Sequence, residues 1–316
     1  MTRTLNKTWD SLWFSRFDPA TLCLCRVVLG MNILLWLIHL FPNWDRFFAA
    51  DGILSLNDAD LDSTRVGRNW WCIFNWTEGL VPMMAWWWIC FFCAMAFTLG
   101  LRTRIATIAL LVLITSIVHR SWFVGDGHIS LYRLLLFFMC FAPMGACYSL
   151  DRLIRSKQDD TADKETDDPL PLVWPIRLMQ INFLFLYVLS LPEKLMSGED
   201  WRNGQAVYYA MANDFWSRDW PMIFHQYGSL LSKITTYGTI VIEIAVPILI
   251  CFKKTRLFAI AMGLCFHVVV ATMIENVGFF TLSIIMGYCL FLPPELVRRW
   301  LSFGEQSEAE LSETST

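Results

Sequence analysis

Residues 81–101, VPMMAWWWICFFCAMAFTLGL, form a run of 21 residues without a charged side chain. An α-helix rises about 1.5 Å per residue, so about 20 apolar residues cross a hydrocarbon core about 30 Å thick. The run is therefore long enough, and apolar enough, to predict a transmembrane helix.

Seven further apolar runs resemble this one in composition and approach it in length. The predicted spans lie at approximately 20–41, 81–101, 105–123, 129–148, 172–191, 234–252, 257–274 and 278–293. They account for about half of the chain, which leaves no stretch for a sizeable soluble domain. We predict an all-α fold, a polytopic integral membrane bundle of about eight transmembrane helices.

The composition also predicts a protein that is embedded in the lipid bilayer. Hydrophobic residues make up 56% of the chain and charged residues only 17%, whereas a soluble domain carries about 25% charged residues. The net charge of -3 provides no basic surface for a phosphate backbone. Nucleic-acid binding is therefore excluded.

The distribution of Lys and Arg predicts the orientation. With eight spans, 14 of the 25 basic side chains fall on the side of the two termini, and 8 fall on the other side. Positive charge concentrates on cytoplasmic loops. We expect both termini to be cytoplasmic in a plasma or inner membrane, with segments 42–80, 120–128 and 192–233 on the outer side.

The chain divides into a membrane domain and polar ends. We expect a cytoplasmic N-terminal segment at 1–19, a transmembrane domain at 20–295 and a disordered tail at 296–316. The acidic stretch SKQDDTADKETDDP at 156–169 is predicted to be a cytoplasmic linker, since it has too few apolar residues to fold alone.

Ionisable side chains inside spans are costly, so each one is a candidate site. Arg26 and Glu243 lie about two turns inside their helices, and a pair between them would neutralise both, either as interhelical glue or as part of a site. His267 lies in mid-helix, as a packing residue or a catalyst. Arg133 and Arg177 are near helix starts, from which their side chains reach the interface.

Lys194 lies in LFLYVLSLPEKLMSGEDWRNGQAVYYA, residues 184–210. This pattern predicts an apolar helix ended by Pro192, a short loop with Gly198 and a new helix start at Trp201. A lysine at such a break is either a solvated interfacial anchor or a dry, neutral amine under the following loop. In the second case the amine is a general base.

No metal site is expected. The five histidines show no ligand spacing, and the Cys90-Phe-Phe-Cys93 spacing lies in an aromatic run, where two small packing residues in a helix are the better interpretation.

Four stretches in order carry a family resemblance, from about residue 18 to 295. They are FDPATLCLCRVVLG; GDGHISLYRLLLFFMCF followed by YSLDR; FLYVLSLPEKLMSGEDWRNGQAVYY; and CFHVVVATMIENVGFFTLSIIM. With these stretches the sequence resembles the horizontally transferred transmembrane (HTTM) domain family, which is related to vitamin K-dependent γ-glutamyl carboxylase. Two positions differ from that relative, since Glu193 stands in place of a basic residue and Gly127 in place of an asparagine.

The resemblance implies a catalytic set of Lys194, His128 and His267. Lys194 matches the base that removes a proton from the reduced quinone, and the two histidines match positions implicated in quinol chemistry. The implied co-substrates are vitamin K hydroquinone or menaquinol, O2 and CO2, and the acceptor is a peptide or protein glutamate.

The resemblance also implies residues for substrate binding. Trp201 and Arg202 belong to the Asp-Trp-x-x-Gly segment after the lysine, and Glu243 matches an acidic position in the sixth span. Arg26, as a charge inside the first span, completes the expected set.

Three function classes remain open. The first is a quinol-dependent carboxylase or epoxidase with Lys194 as its base. The second is a non-enzymatic lipid- or quinone-binding scaffold, or a partner of another membrane protein. The third is a small-solute transporter, which the intramembrane Arg26 and Glu243 favour, although no internal repeat is visible.

Overall fold

The computed structural model describes residues 9–49, 52–53, 71–77, 81–121, 124–158, 170–213 and 223–300. Most of the linker 156–169, most of the tail 296–316 and residues 1–8 lie outside this part. Apart from one isolated bridge between Arg16 and Leu172, the regular structure of the described residues is helical. The predicted all-α fold is confirmed.

Eight apolar helices match the eight predicted apolar runs. They are α1 (Ala20–Leu40), α2 (Met83–Leu99), α3 (Thr103–Arg120), α4 (Gly127–Met139), α5 (Trp174–Ser197), α6 (Ile223–Leu249), α7 (Arg256–Met273) and α8 (Gly278–Cys289). Short helices accompany them at Trp44–Phe48, Ile73–Trp76, Leu150–Gln158, Glu199–Arg202, Ala206–Ala212 and Pro294–Trp300.

The number of spans is smaller than predicted. Within the described residues, five helices are long and apolar enough to cross a membrane, and the number is six if α8 and Pro294–Trp300, which are bent by 110°, count together as one span. The count of eight is not confirmed, because α2 and α4 have only 17 and 13 residues. At about 1.5 Å per residue, α4 is about 20 Å long, less than the hydrocarbon core. The chain is nevertheless an integral membrane protein.

The chain forms two compact units, and unit 1 comprises residues 1–177 and 293–316. Its helices α1 to α4 pack in chain order, each against the next. Helices α1 and α2 approach closely at Gly30, where a Cβ atom would lie 2.2 Å from Thr98 Oγ1. The indole N–H of Trp87 also donates to the carbonyl of Leu37 at 2.9 Å. Small residues allow such close packing between membrane helices.

Two aspartates fix helix starts in unit 1. Asp151 accepts hydrogen bonds from the backbone N–H groups of Arg102 and Thr103 at 2.7 and 2.9 Å, so it caps α3 from a distant point of the chain. Asp18 accepts from the N–H of Ala20 at the start of α1 and makes a two-point ion pair with Arg298, at 2.6 and 2.8 Å. These contacts give the family stretches FDPATLCLCR and YSLDR a structural role.

Unit 2 comprises residues 178–292, with most of α5 and all of α6, α7 and α8. Helix α6 packs against α7, and α7 against α8. Helix α5 lies close to α8 at Gly287, where a Cβ atom would meet the Phe183 ring at 2.0 Å. The side chain of Gln180 donates to the carbonyl of Leu290 at 2.7 Å.

Pro192 does not end its helix, contrary to the prediction. Helix α5 continues through it to Ser197, and the break comes at Gly198. Proline removes only one backbone N–H, and helices in membranes tolerate it where neighbouring groups satisfy the freed carbonyl. Lys194 therefore lies in the last turn of α5 and not in a loop, so the helix fixes its position.

Candidate functional site

Lys194 and Glu243 form an ion pair between α5 and α6. The ammonium donates to Glu243 Oε1, and the two side chains are only 20% and 11% exposed. Ser190 Oγ donates to the other carboxylate oxygen at 3.2 Å. Both oxygens of Glu243 thus have donors, and the lysine is held to a single acceptor in a largely dry environment.

The suggested pairing of Arg26 with Glu243 is wrong, because Glu243 takes Lys194 as its partner. Arg26 is fully buried in unit 1, where its Nη1 donates to the carbonyl of Met144 at 2.6 Å and its Nη2 to that of Tyr148. Gly100, with φ of 75°, lies against this guanidinium. Through these contacts Arg26 holds the backbone at Met144 and Tyr148 against α1. Its part in substrate binding stays a prediction.

His267 belongs to a chain of three buried polar groups in unit 2. Tyr187 Oη lies 3.0 Å from His267 Nε2 and 2.5 Å from Tyr288 Oη. The three side chains are at most 7% exposed and come from α5, α7 and α8. The arrangement holds the imidazole in place and allows a proton to move along the chain.

Helix α5 connects this chain with the ion pair. Tyr187, Ser190 and Lys194 are three and four residues apart, so they lie on one face of the helix. That face therefore carries a continuous polar stripe, with His267 and Tyr288 contacting one part of it and Glu243 the other.

Two glycines make room for this stripe. A Cβ atom at Gly263 would lie 1.9 Å from Tyr288 Oη, and one at Gly287 would overlap the Phe183 ring. Gly263 is one helical turn before His267 on α7. The missing side chain thus lets the Tyr288 hydroxyl reach Tyr187 beside the imidazole.

The segment after Lys194 packs along α6. The Lys194 ammonium lies 4.7 Å from the centre of the Trp201 ring, in cation–π distance. Gly204, at φ of 74°, is fixed by Ser232, whose Oγ donates to its carbonyl at 2.9 Å. The side chain of Arg202 is exposed, while its carbonyl accepts from Tyr237 Oη at 2.8 Å. Trp201 thus covers the lysine.

His128 lies in unit 1, on α4. It is buried beside the rings of Trp36 and Tyr132, with ring centres at 6.1 and 5.5 Å. Its catalytic role stays a prediction, as the ion pair and the tyrosine chain belong to unit 2.

Three polar residues of the site were not predicted from the sequence, namely Tyr187 and Ser190 of the stripe and Tyr288 of α8. A signal for two of them is present, because Tyr187 and Ser190 precede Lys194 at helical spacing in an otherwise apolar run. Tyr288 has no comparable signal, since only the packing of α8 against α5 reveals its hydroxyl.

The described residues contain no group of three or more His, Cys, Asp or Glu side chains that could hold a metal ion. All ten cysteines lie in the described part and are free thiols. Cys90 is a buried packing residue of α2.

The family model of the HTTM domain matches residues 14–296, which is nearly the whole chain. The chain belongs to the HTTM domain family. The match extends over the membrane helices of both units, so the resemblance expected from the four sequence stretches is confirmed. No solved structure matches this HTTM chain.

Proposed function

We propose that this HTTM chain is a quinol-dependent membrane enzyme, a carboxylase or an epoxidase, in which the Lys194–Glu243 pair is the base. The observation that carries the proposal is the ion pair itself. An amine and a carboxylate share a hydrogen bond in a mostly dry place, beside the buried chain of Tyr187, His267 and Tyr288.

The pair can accept one proton from a substrate hydroxyl. Transfer of the ammonium proton from Lys194 Nζ to Glu243 Oε1 gives a neutral amine and a neutral acid. The amine then takes the proton of a phenolic hydroxyl, whose ordinary pKa is about 10. The pair has gone from neutral to a charge of +1, and this charge stabilises the anion that remains.

The residues around the pair suit a reduced quinone as co-substrate. Trp201 offers an aromatic face next to the ammonium, and Leu189 and Met196 of α5 are exposed, as expected for side chains that face lipid. A bound quinol would supply reducing equivalents for O2, and CO2 would join a peptide or protein glutamate in the carboxylase version. Arg202 and His128 keep the roles that the resemblance implies.

We further propose that both termini are cytoplasmic and that Lys194 faces the outer side of a plasma or inner membrane. The excess of Lys and Arg on the side of the termini supports this orientation. Fusions of a periplasmic or luminal reporter enzyme after residues 213 and 316 test it, and activity of the fusion at 316 alone would overturn it.

The test of the enzyme is formation of quinone epoxide. Proteoliposomes with the full chain receive reduced menaquinone or phylloquinone under O2, and the epoxide is quantified by chromatography. Lys194→Ala is expected to lose at least 100-fold of the rate, the usual contribution of a general base. Lys253→Ala, which alters an exposed lysine in the turn between α6 and α7, is the matched control and keeps the wild-type rate.

Chemical rescue separates a base from a merely structural lysine. Propylamine added to Lys194→Ala is expected to restore part of the epoxide formation, with a rate that rises with pH as the free amine increases. Absence of epoxide from the wild-type chain with either quinol would overturn the enzyme. Epoxide formation that survives Lys194→Ala would leave the enzyme but remove its base.

A second function, a non-enzymatic quinone-binding scaffold, is favoured by one observation. Lys194 and Glu243 neutralise each other's charge, and polar pairs of this kind hold membrane helices together. Stoichiometric quinone retained by the purified chain without turnover would favour this scaffold over the enzyme.

A further inference from the structure

A groove in unit 1 holds an arginine that no described residue neutralises. A cavity of about 450 Å³ lies between α3 and α4, with Arg133 in its wall. No carboxylate of the described residues is in ion-pair distance of Arg133. Guanidinium groups stay charged in proteins, so the groove carries a full positive charge.

The rest of the groove is polar at one end and apolar at the other. Ser130 and Trp71 lie with Arg133 towards the Gly127 end of α4, whereas Phe137 is one turn further along the helix. Ser130 and Arg133 are three residues apart and thus share a face of α4. Leu134 adds an apolar wall.

The depth of Arg133 suits the headgroup region. Arg133 is six residues from Gly127, about 9 Å along the helix, which is within reach of the membrane interface for a long side chain. Tryptophan, here Trp71, prefers that same interface. We therefore expect the polar end of the groove at headgroup level and Phe137 deeper, at the level of the acyl chains.

We propose that this groove binds an anionic phospholipid, with its phosphate on Arg133 and an acyl chain along Leu134 and Phe137. The guanidinium fork matches phosphate oxygens in two-point hydrogen bonds, and the Ser130 hydroxyl adds a donor. A headgroup with a net negative charge is favoured over a zwitterionic one, because only the former neutralises the arginine. The site is separate from the ion pair of unit 2 and does not depend on its function.

The experiment is native mass spectrometry of the full chain released from mixed micelles. Phosphatidylglycerol is offered in competition with phosphatidylcholine and, in a separate arm, in competition with oleate. The wild-type chain is expected to retain one phosphatidylglycerol in preference to phosphatidylcholine. Arg133→Gln is expected to lower that retention about tenfold, as the loss of one charge-assisted contact implies. Arg104→Gln, which lies on α3 outside the groove, is the control and leaves retention unchanged.

A second variant keeps the charge and closes the space. Leu134→Trp fills the apolar wall and is expected to reduce phosphatidylglycerol retention with Arg133 intact, so it decides the question if Arg133→Gln does not fold. Equal retention of the two phospholipids by the wild-type chain, or undiminished retention in both variants, would overturn the proposal. Preference for oleate over phosphatidylglycerol would overturn the phospholipid assignment.

Discussion

The hydroxyl of Tyr187 lies 3.0 Å from Nε2 of His267, between two helices of unit 2. The same hydroxyl meets Tyr288 Oη at 2.5 Å, so one oxygen connects three helices. Buried polar groups that satisfy one another in this way are costly to separate, because each lost partner leaves an unpaired group in an apolar surrounding.

Tyr187→Phe tests this connection. The ring packing stays, but His267 Nε2 and Tyr288 Oη lose their shared partner, so the free energy of unfolding is expected to fall by about 2 kcal/mol. Unfolding in mixed micelles measures it. Tyr209→Phe, which alters an exposed tyrosine, is the control and should shift stability by less than about 0.5 kcal/mol. An equal effect of both variants would show that the connection is energetically unimportant.

The Lys194–Glu243 pair predicts coupled mutational effects. Either Lys194→Met or Glu243→Leu alone leaves a partly buried group without its partner and is expected to destabilise the chain by about 3 kcal/mol. The double variant Lys194→Met, Glu243→Leu removes both charges and should recover most of that loss. A double-mutant cycle of unfolding free energies checks it, and simple additivity would speak against an interacting pair.

Gly263→Ala is expected to disturb the site through one methyl group. The new Cβ would overlap Tyr288 Oη, so we expect a loss of about 2 kcal/mol in stability, as in other overpacked cores. Gly238→Ala on α6 is a matched control, because a Cβ there meets nothing within 4 Å. This control should gain about 0.5–1 kcal/mol from helix propensity. If a thermal unfolding assay shows that both variants change stability in the same direction, the close packing of Gly263 against Tyr288 is contradicted.

Asp151 predicts a loss of stability in acid. Burial raises the pKa of its carboxyl group, but the N–H groups of Thr103 and Arg102 outweigh this, and the pKa is lowered from the ordinary value of 3.8. A carboxyl with a lower pKa in the folded state stabilises fully above the unfolded value and loses its contribution as the pH falls through the folded one. The free energy of unfolding, measured from pH 5 to pH 2, should fall less steeply with decreasing pH in Asp151→Asn than in the wild type. An equally steep fall in the variant and in the wild type would show that Asp151 does not stabilise the folded state through its charge.

Arg26→Lys distinguishes a structural role of Arg26 from a role in substrate binding. A lysine reaches at most one of the two carbonyls that Arg26 holds, so stability should fall by about 2 kcal/mol. At a temperature where the variant remains folded, the quinone binding that we propose for unit 2 should be unchanged. A loss of quinone affinity without a loss of stability would instead support the substrate-binding role.

The positions of the helices followed from the sequence, but the partners in the site did not. Each apolar run became a helix, because length and hydrophobicity are local properties of a segment. Lys194, Glu243 and His267 stood out as costly charges or polar groups. Glu243 pairs with Lys194, a residue of its own compact unit, whereas Arg26 belongs to the other unit, and only tertiary packing decides which helices share a unit.

The proline of α5 shows the same limit at shorter range. A rule for soluble helices placed the break at Pro192, whereas it lies at Gly198. The shift of six residues moves Lys194 from a loop onto a rigid helix. Its alignment with Tyr187 and Ser190 on one face became visible only with that correction.

The ion pair of Asp18 and Arg298 joins residues 280 positions apart, and unit 1 includes residues 293–316 after the whole of unit 2. During translation, the first membrane helix must therefore wait for the last segment before unit 1 is complete. A truncated product that stops before residue 293 lacks this closing piece. Any attempt to express the two units as separate fragments has to return residues 293–316 to the first.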